Sequence, residues 1–175
     1  TTINAGILSV SSLADGGVAS SIGQSTSAAA NLVFNGGTLQ YTGITNNSTD
    51  RLLTIGNNGG TLSTTGAGTL TFSSTAAVAY TGVGNRTFTL SGTTQGTLGG
   101  SGEFNTTAGA MNSFGPGLAD PAGVDTLTLA KTGTGVWVLP TANTLTLNPV
   151  AGNTYTGSTT INAGILSVSS LADGG

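Results

Sequence analysis

The sequence predicts an all-β chain wound as a parallel β-solenoid, and three observations support that prediction. Short segments alternate apolar and polar side chains, Gly and Asn separate these segments, and similar segments recur at offsets of about 18–28 residues. Recurrence at such offsets is typical of repeating coils rather than of hairpins closed by two-residue turns. We therefore expect coils of about 18–28 residues and few helices.

The predicted strands carry Thr on one face and large apolar side chains on the other. They read GTLQY (37–41), GTLTFSS (68–74), RTFTLSG (86–92), TLTLAK (126–131) and TLTL (144–147). Thr suits the outer face of a pleated sheet because it is β-branched and polar. The side chains that this alternation turns inward are Leu39, Tyr41, Leu70, Phe72, Phe88, Leu90, Leu127, Leu129, Leu145 and Leu147.

Gly- and Asn-rich stretches between the strands predict tight corners, and two longer stretches predict loops. NGG at 35–37 and NNGG at 57–60 supply residues that adopt positive φ without strain. Segments 13–30 and 105–124 show the weakest strand pattern. We expect both to leave the stack as loops, the first with a helical turn.

The chain ends with a copy of its own beginning. Residues 1–17 and 159–175 both read TTINAGILSVSSLADGG, at an offset of 158 residues. Identity at this offset predicts that 1–158 is one complete repeat unit of a longer tandem array and that 159–175 starts the next. The second copy should lie where the first lies, advanced along the axis. The expected junction residues are Thr1, Ile3, Gly6, Leu8 and Val10 with their copies Thr159, Ile161, Gly164, Leu166 and Val168.

One stretch carries a resemblance to a known family. AGNTYTGSTTINAGILSV (151–168) resembles the autotransporter-associated β-strand repeat, also called the passenger-associated transport repeat. LAKTGTGVWVLP (129–140) is similar to the stretch that precedes this motif in the family. The resemblance implies a parallel β-helix in a secreted or surface-displayed bacterial protein of adhesin or structural type, and we expect the helix to be right-handed. The motif residues are Asn153, Thr154, Tyr155, Thr156 and Gly157.

Composition excludes several classes of function. Three basic residues cannot form a patch that neutralises phosphates, so we expect no nucleic-acid partner. A run of about 18 apolar residues is absent, so we expect no membrane insertion. The absence of His removes the usual general base near neutral pH, and the absence of Cys removes disulfides.

Acidic residues give a weak case for glycoside cleavage, which needs two carboxylates facing one bond. Asp120 and Asp125 are the pair closest in sequence, and both fit solvated loop positions better. The other carboxylates are Asp15, Asp50, Glu103 and Asp173. We therefore expect no enzymatic activity, no cofactor and no metal. Arg51 and Lys131 are interpreted as surface residues in weak ion pairs, and Trp137 as a core residue.

Two functions remain. The leading hypothesis is a structural repeat of a giant extracellular fibre, whose partner is itself: neighbouring identical repeats stack end to end, and fibres can bundle laterally. The alternative is an adhesin stalk or passenger that binds carbohydrate or a surface through loops 13–30 and 105–124. In that case Met111 and Phe114, together with Phe104, are the candidate surface contacts.

Overall fold

A computed structural model describes residues 1–96, 111–140 and 153–168. The described chain is β-structure joined by turns and loops, with one short 3₁₀ turn at Ala29–Asn31. That turn overlaps the end of segment 13–30, in which the sequence predicts a helical turn. Among the described residues, no helix has the length and apolarity needed to cross a bilayer.

In the described part of the chain, fifteen strands form three sheets, in which the paired strands are parallel. Sheet 1 contains β1 (Thr2–Ile3), β3 (Val33–Phe34), β6 (Thr54–Ile55) and β9 (Ala79–Tyr80). Sheet 2 contains β2 (Ile7–Val10), β4 (Thr38–Tyr41), β7 (Gly60–Thr64), β10 (Arg86–Gly92), β12 (Leu127–Lys131) and β14 (Thr159–Ile161). Sheet 3 contains β5 (Asn47–Thr49), β8 (Leu70–Phe72), β11 (Asn112–Phe114), β13 (Val136–Leu139) and β15 (Ile165–Val168).

Up to β11 the chain passes through the three sheets in a fixed order, and we call each passage a circuit; β12–β15 alternate between sheets 2 and 3, with no further sheet 1 strand among the described residues. Strands β3, β4 and β5 take it through sheets 1, 2 and 3, and the next two sets of three strands repeat that order. Each strand then pairs with the strand of the same sheet in the adjacent circuit. This arrangement is compatible with a β-solenoid.

Circuit lengths agree with the sequence prediction in the middle of the chain and exceed it elsewhere. The paired residues Leu39 and Leu62 are 23 residues apart, within the expected 18–28. Leu8 and Leu39 are 31 residues apart, and Leu90 and Lys131 are 41 apart, so the predicted range is wrong for these circuits. The longer circuits include extra chain between sheets, which lengthens a circuit without changing strand pairing.

The interior is a set of apolar columns tied together by aromatic rings. All the inward side chains predicted from alternation within the described residues are buried; Leu145 and Leu147 lie outside those residues. Phe88 packs edge-to-face on Phe34 at 5.9 Å between ring centroids and contacts Phe114 at 5.2 Å. Phe34, Phe88 and Phe114 belong to sheets 1, 2 and 3, so this cluster joins all three sheets.

Glycine is required where successive corners lie against one another. Gly59 has a φ of +65°, and a Cβ there would lie 2.1 Å from the carbonyl oxygen of Thr87 in the next circuit. The stretch NNGG thus supplies both the positive φ that the sequence predicts and the close backbone approach that stacking needs.

We expect Phe88→Ala to lower the free energy of unfolding by about 3–5 kcal/mol, because it opens a cavity where three sheets meet. Chemical denaturation monitored by circular dichroism would measure this. Val83→Ala is the matched control, since Val83 is 84% exposed and its truncation should cost little. Equal losses in the two variants would contradict a core centred on Phe88.

Candidate functional site

All three basic side chains are buried, so the interpretation of Arg51 and Lys131 as surface residues is wrong. Arg86 is buried as well. Each cation donates mainly to backbone carbonyls at a corner of the stack rather than to a carboxylate. A buried charge is tolerated when its hydrogen bonds are made, and the corner carbonyls provide them.

Arg51 holds the loop that follows β2. Its guanidinium donates to the carbonyl oxygens of Ala14 at 3.0 Å, Ser25 at 2.7 Å and Gly23 at 3.1 Å. A further bond reaches the Ser25 hydroxyl at 3.0 Å. One side chain therefore fixes both ends of a loop that has no strand of its own, which makes the loop an ordered surface feature.

Arg86 and Lys131 donate hydrogen bonds to backbone carbonyls at two other corners. Arg86 donates to the carbonyl oxygens of Ile55 and Thr81, each at 3.0 Å. Lys131 Nζ donates to Thr132 O at 2.6 Å, to Gly133 O at 2.8 Å and to Ala163 O at 3.2 Å. Burial lowers the pKa of Lys131 from its ordinary value.

The candidate carboxylate pair is occupied by backbone contacts. Asp120 accepts from the amides of Leu127 and Thr156 at 2.9 Å and from the Thr156 hydroxyl at 2.6 Å. The hydroxyl bond is the largest cause of the lowered pKa of Asp120. Asp125 accepts from the amide of Gly84 at 2.7 Å. Both carboxylates thus join neighbouring segments of the backbone.

The other described carboxylates behave in the same way. Asp15 accepts from the amide of Asp50 at 2.9 Å, and Asp50 accepts from the amide of Gly16 at 2.7 Å. Glu103 and Asp173 lie outside the described residues. Within the described ranges, no group of three or more acidic residues could hold a metal ion.

The motif residues 153–157 dock the last circuit onto the preceding one. Asn153 Oδ1 accepts from the Leu118 amide at 3.0 Å, and the Thr154 amide donates to the Leu118 carbonyl at 2.8 Å. The Tyr155 hydroxyl lies 2.7 Å from the hydroxyl of Thr159. These bonds position the chain directly before β14.

The remaining motif residue, Gly157, allows close approach of two circuits. A Cβ at this position would lie 2.1 Å from the carbonyl oxygen of Leu127. Together with the bond from Thr156 to Asp120, this contact gives the motif a structural role in joining circuits.

Met111 and Phe114 are buried, which contradicts their prediction as surface contacts. Phe114 belongs to β11 and packs on Phe72 with ring centroids 5.8 Å apart. The prediction of a loop over 105–124 is therefore wrong at β11, whose three residues are too few to give a clear alternation in the sequence. Phe104 and residues 105–110 lie outside the described part of the chain. Trp137 is a core residue as expected, and its Nε1 donates to the carbonyl of Ser91 at 2.8 Å.

The two copies of the repeated segment have one backbone conformation and occupy different sheets. Gly6 and its copy Gly164 both have a φ of +69°. Residues 2–3 and 7–10 lie in sheets 1 and 2, whereas 159–161 and 165–168 lie in sheets 2 and 3. The expectation of a simple advance along the axis is therefore wrong: the second copy is also displaced by one sheet.

In a stack, the repeated segment would have one circuit before it and one after it, and each copy contacts one of these two circuits. The first copy is covered by the following circuit, with Ile3 paired to Phe34 and Val10 paired to Tyr41. The second copy lies on the preceding circuit, where Ile161 pairs with Lys131 and Leu166 with Trp137. Within the described residues, the opposite edge of each copy has no strand partner.

Side-chain exposure reflects these neighbours. Ile3 is 5% exposed and Val10 is 2% exposed, whereas their copies Ile161 and Val168 are 54% and 41% exposed. Ile7 shows the reverse relation, at 66% against 37% for Ile165, which lies on Val136. Each of these side chains is therefore buried in the copy that has a neighbouring circuit on that side and more exposed in the copy that lacks this circuit.

We expect Gly164→Ala to release β14 and β15, while Gly6→Ala leaves β1 and β2 in place. A Cβ at 164 would lie 2.4 Å from the Gly133 carbonyl oxygen, but nothing lies within 4 Å of a Cβ at position 6. Gly6→Ala should cost only the left-handed backbone penalty, about 1–2 kcal/mol. Hydrogen exchange should show lost protection at 165–168 in the first variant alone. Equal protection of 165–168 in both variants would contradict the close contact between Gly164 and the circuit that contains Gly133.

Comparison with known proteins gives one relative of interest. No family model matches the chain, and no solved structure matches it. Over 139 residues, or 78% of the chain, it is 41% identical to the adhesin BmaC autotransporter of Brucella suis. The chain spans 4% of the length of that protein. The chain is therefore related to a short segment of an autotransporter adhesin.

Proposed function

We propose that this chain is a stalk segment of a cell-surface adhesin, in which 158-residue units stack end to end as one continuous β-solenoid fibre. The observation that carries the proposal is the pair of identical segments with complementary neighbours. Ile3 is covered by a circuit that Ile161 lacks, and Ile165 is covered by a circuit that Ile7 lacks. Joining units end to end supplies both missing neighbours.

The sheet topology supports a solenoid that can be extended. Strands β3–β11 visit three parallel sheets in a repeating order, and among the described residues each sheet ends in strands with one unpaired edge. Crossover connections between parallel strands are right-handed in nearly all proteins, so we assign the same hand to this solenoid. In a repeat array, such an end is covered by the next repeat or by a terminal cap.

The relative supports a role outside the cell. The protein matched at 41% identity is an autotransporter adhesin, and its name gives a passenger-like context for this chain. We place the chain at the cell surface or in the extracellular space. The non-enzymatic role agrees with carboxylates that accept bonds from backbone amides.

End-to-end stacking can be tested with two fragments that differ by the second copy. Fragment 1–158 ends with β12 and β13 uncovered and begins with β1 and β2, which are the two halves of the junction. It should form head-to-tail oligomers whose length grows with concentration, because the contact does not close. The full 175-residue chain covers its own β12 and β13 and should remain in smaller species.

Analytical ultracentrifugation of both fragments at matched concentrations would measure the difference. Phe88→Ala in fragment 1–158 serves as a control for aggregation through unfolding, since it should give irregular aggregates rather than rods in electron micrographs. Two monomeric fragments would contradict the stacking proposal.

A second candidate function is ligand binding by the loop between β2 and β3, favoured by the adhesin relative and by the Arg51 contacts. The loop is ordered and carries Val18, which is exposed, so it offers a fixed surface to carbohydrate or to another cell surface. Segment 111–124 is a weaker candidate because Met111 and Phe114, its predicted surface contacts, are buried.

We expect Arg51→Met to free this loop and to weaken any binding by at least about tenfold, since a loop that must be ordered on binding loses affinity. Limited proteolysis would report cleavage within 13–30, and a panel of immobilised polysaccharides would report binding. Val83→Ser, at an exposed corner away from the loop, is the control. Unchanged binding by the Arg51 variant would exclude the loop as the binding surface.

A further inference from the structure

We propose that each repeat in the fibre is turned by one sheet relative to the repeat before it, so that three repeats restore the original orientation. This inference rests on the proposed end-to-end stacking and specifies its geometry. The supporting observation is that the two strands of the repeated segment lie in sheets 1 and 2 in the first copy and in sheets 2 and 3 in the second.

The strand pairing gives the size of the turn. One column of paired residues runs through sheet 2 and contains Leu8, Leu39, Leu62, Leu90, Lys131 and Ile161. Leu8 and Ile161 are therefore five circuits apart. The copy of Leu8 is Leu166, which lies five residues beyond Ile161 and in sheet 3. One 158-residue unit thus takes five circuits and one further sheet.

The corner within the repeated segment fits at two different places in the stack. Gly6 turns the chain from sheet 1 into sheet 2, and Gly164 turns it from sheet 2 into sheet 3, with the same φ of +69°. The edge that the second copy leaves uncovered carries Ile161 and Val168, the copies of residues that β3 and β4 cover in the first.

The occupant of that uncovered edge is therefore the segment equivalent to 33–41 in the repeat that begins at residue 159. Its strands would pair with β14 and β15 as β3 and β4 pair with β1 and β2. Because β14 and β15 lie in sheets 2 and 3, the following repeat enters one sheet further round. Each later junction adds the same displacement.

The turn distributes the loop held by Arg51 around the fibre. In the first repeat, the loop leaves the stack after sheet 2. In the next repeat it leaves after sheet 3, and in the third after sheet 1. The fibre then carries three rows of identical loops instead of one, and a flat surface on any side can contact several of them.

The axial dimensions follow from strand spacing. Five and one third circuits at about 4.8 Å each give a rise of roughly 26 Å per unit, and three units give roughly 77 Å. Loops on the same side of the fibre should therefore recur every 77 Å or so, while successive loops differ by about one third of a turn.

Electron cryomicroscopy of an array of six consecutive units would test this geometry. Ala19→Cys places a thiol on the exposed loop of a chain that has no other Cys, and a gold cluster can be attached there. We expect labels in three rows, with same-side spacing near three units. Val124→Cys, at a different exposed corner, should show the same three-row pattern.

The outcomes separate the two proposals. Straight rods with all labels in one row, spaced by one unit, would overturn the turn between repeats and leave end-to-end stacking intact. Separate globular units joined by flexible connections would overturn both. Three rows in one labelled array and one row in the other would also overturn the proposed turn, because it applies to every residue of the repeat.

Discussion

Parallel pairing between equivalent strands of successive circuits is the constraint on which the rest of the structure depends. Neighbouring strands lie about 4.8 Å apart, so each side chain meets its counterpart at nearly the same distance. Apolar residues gain from this contact, as Leu39 and Leu62 do, whereas like charges in the same column would repel. The scarcity of charged residues in the sequence follows from this constraint.

The few charges that the chain retains are used singly, where the backbone turns. Arg51, Arg86 and Lys131 donate to corner carbonyls, and Asp120 and Asp125 accept from backbone amides. At the corners, strand pairing leaves backbone carbonyls and amides without partners. Burying these groups unpaired costs free energy. A long cationic side chain can reach several carbonyls at once, which explains why the cations are inside.

Sequence patterns predicted the strands and their inward faces, because alternation with period two depends on neighbouring residues alone. They did not predict the buried cations, since the carbonyls that hold Arg51 belong to residues 23 and 25 on another part of the circuit. They also missed the displacement of Ile165 into sheet 3. That depends on the summed length of five circuits, including the 41-residue step from Leu90 to Lys131, which local patterns do not determine.

The identity of segments 1–17 and 159–175 has a consequence for how such a chain can change in length. Genetic exchange between the two coding stretches deletes or inserts a whole unit and never a fraction of one. In the proposed fibre, the rejoined segment would pair on one side as residues 1–10 do and on the other as residues 159–168 do. The reach of the proposed fibre would then change in steps of one unit, while every variant keeps the same junction contacts.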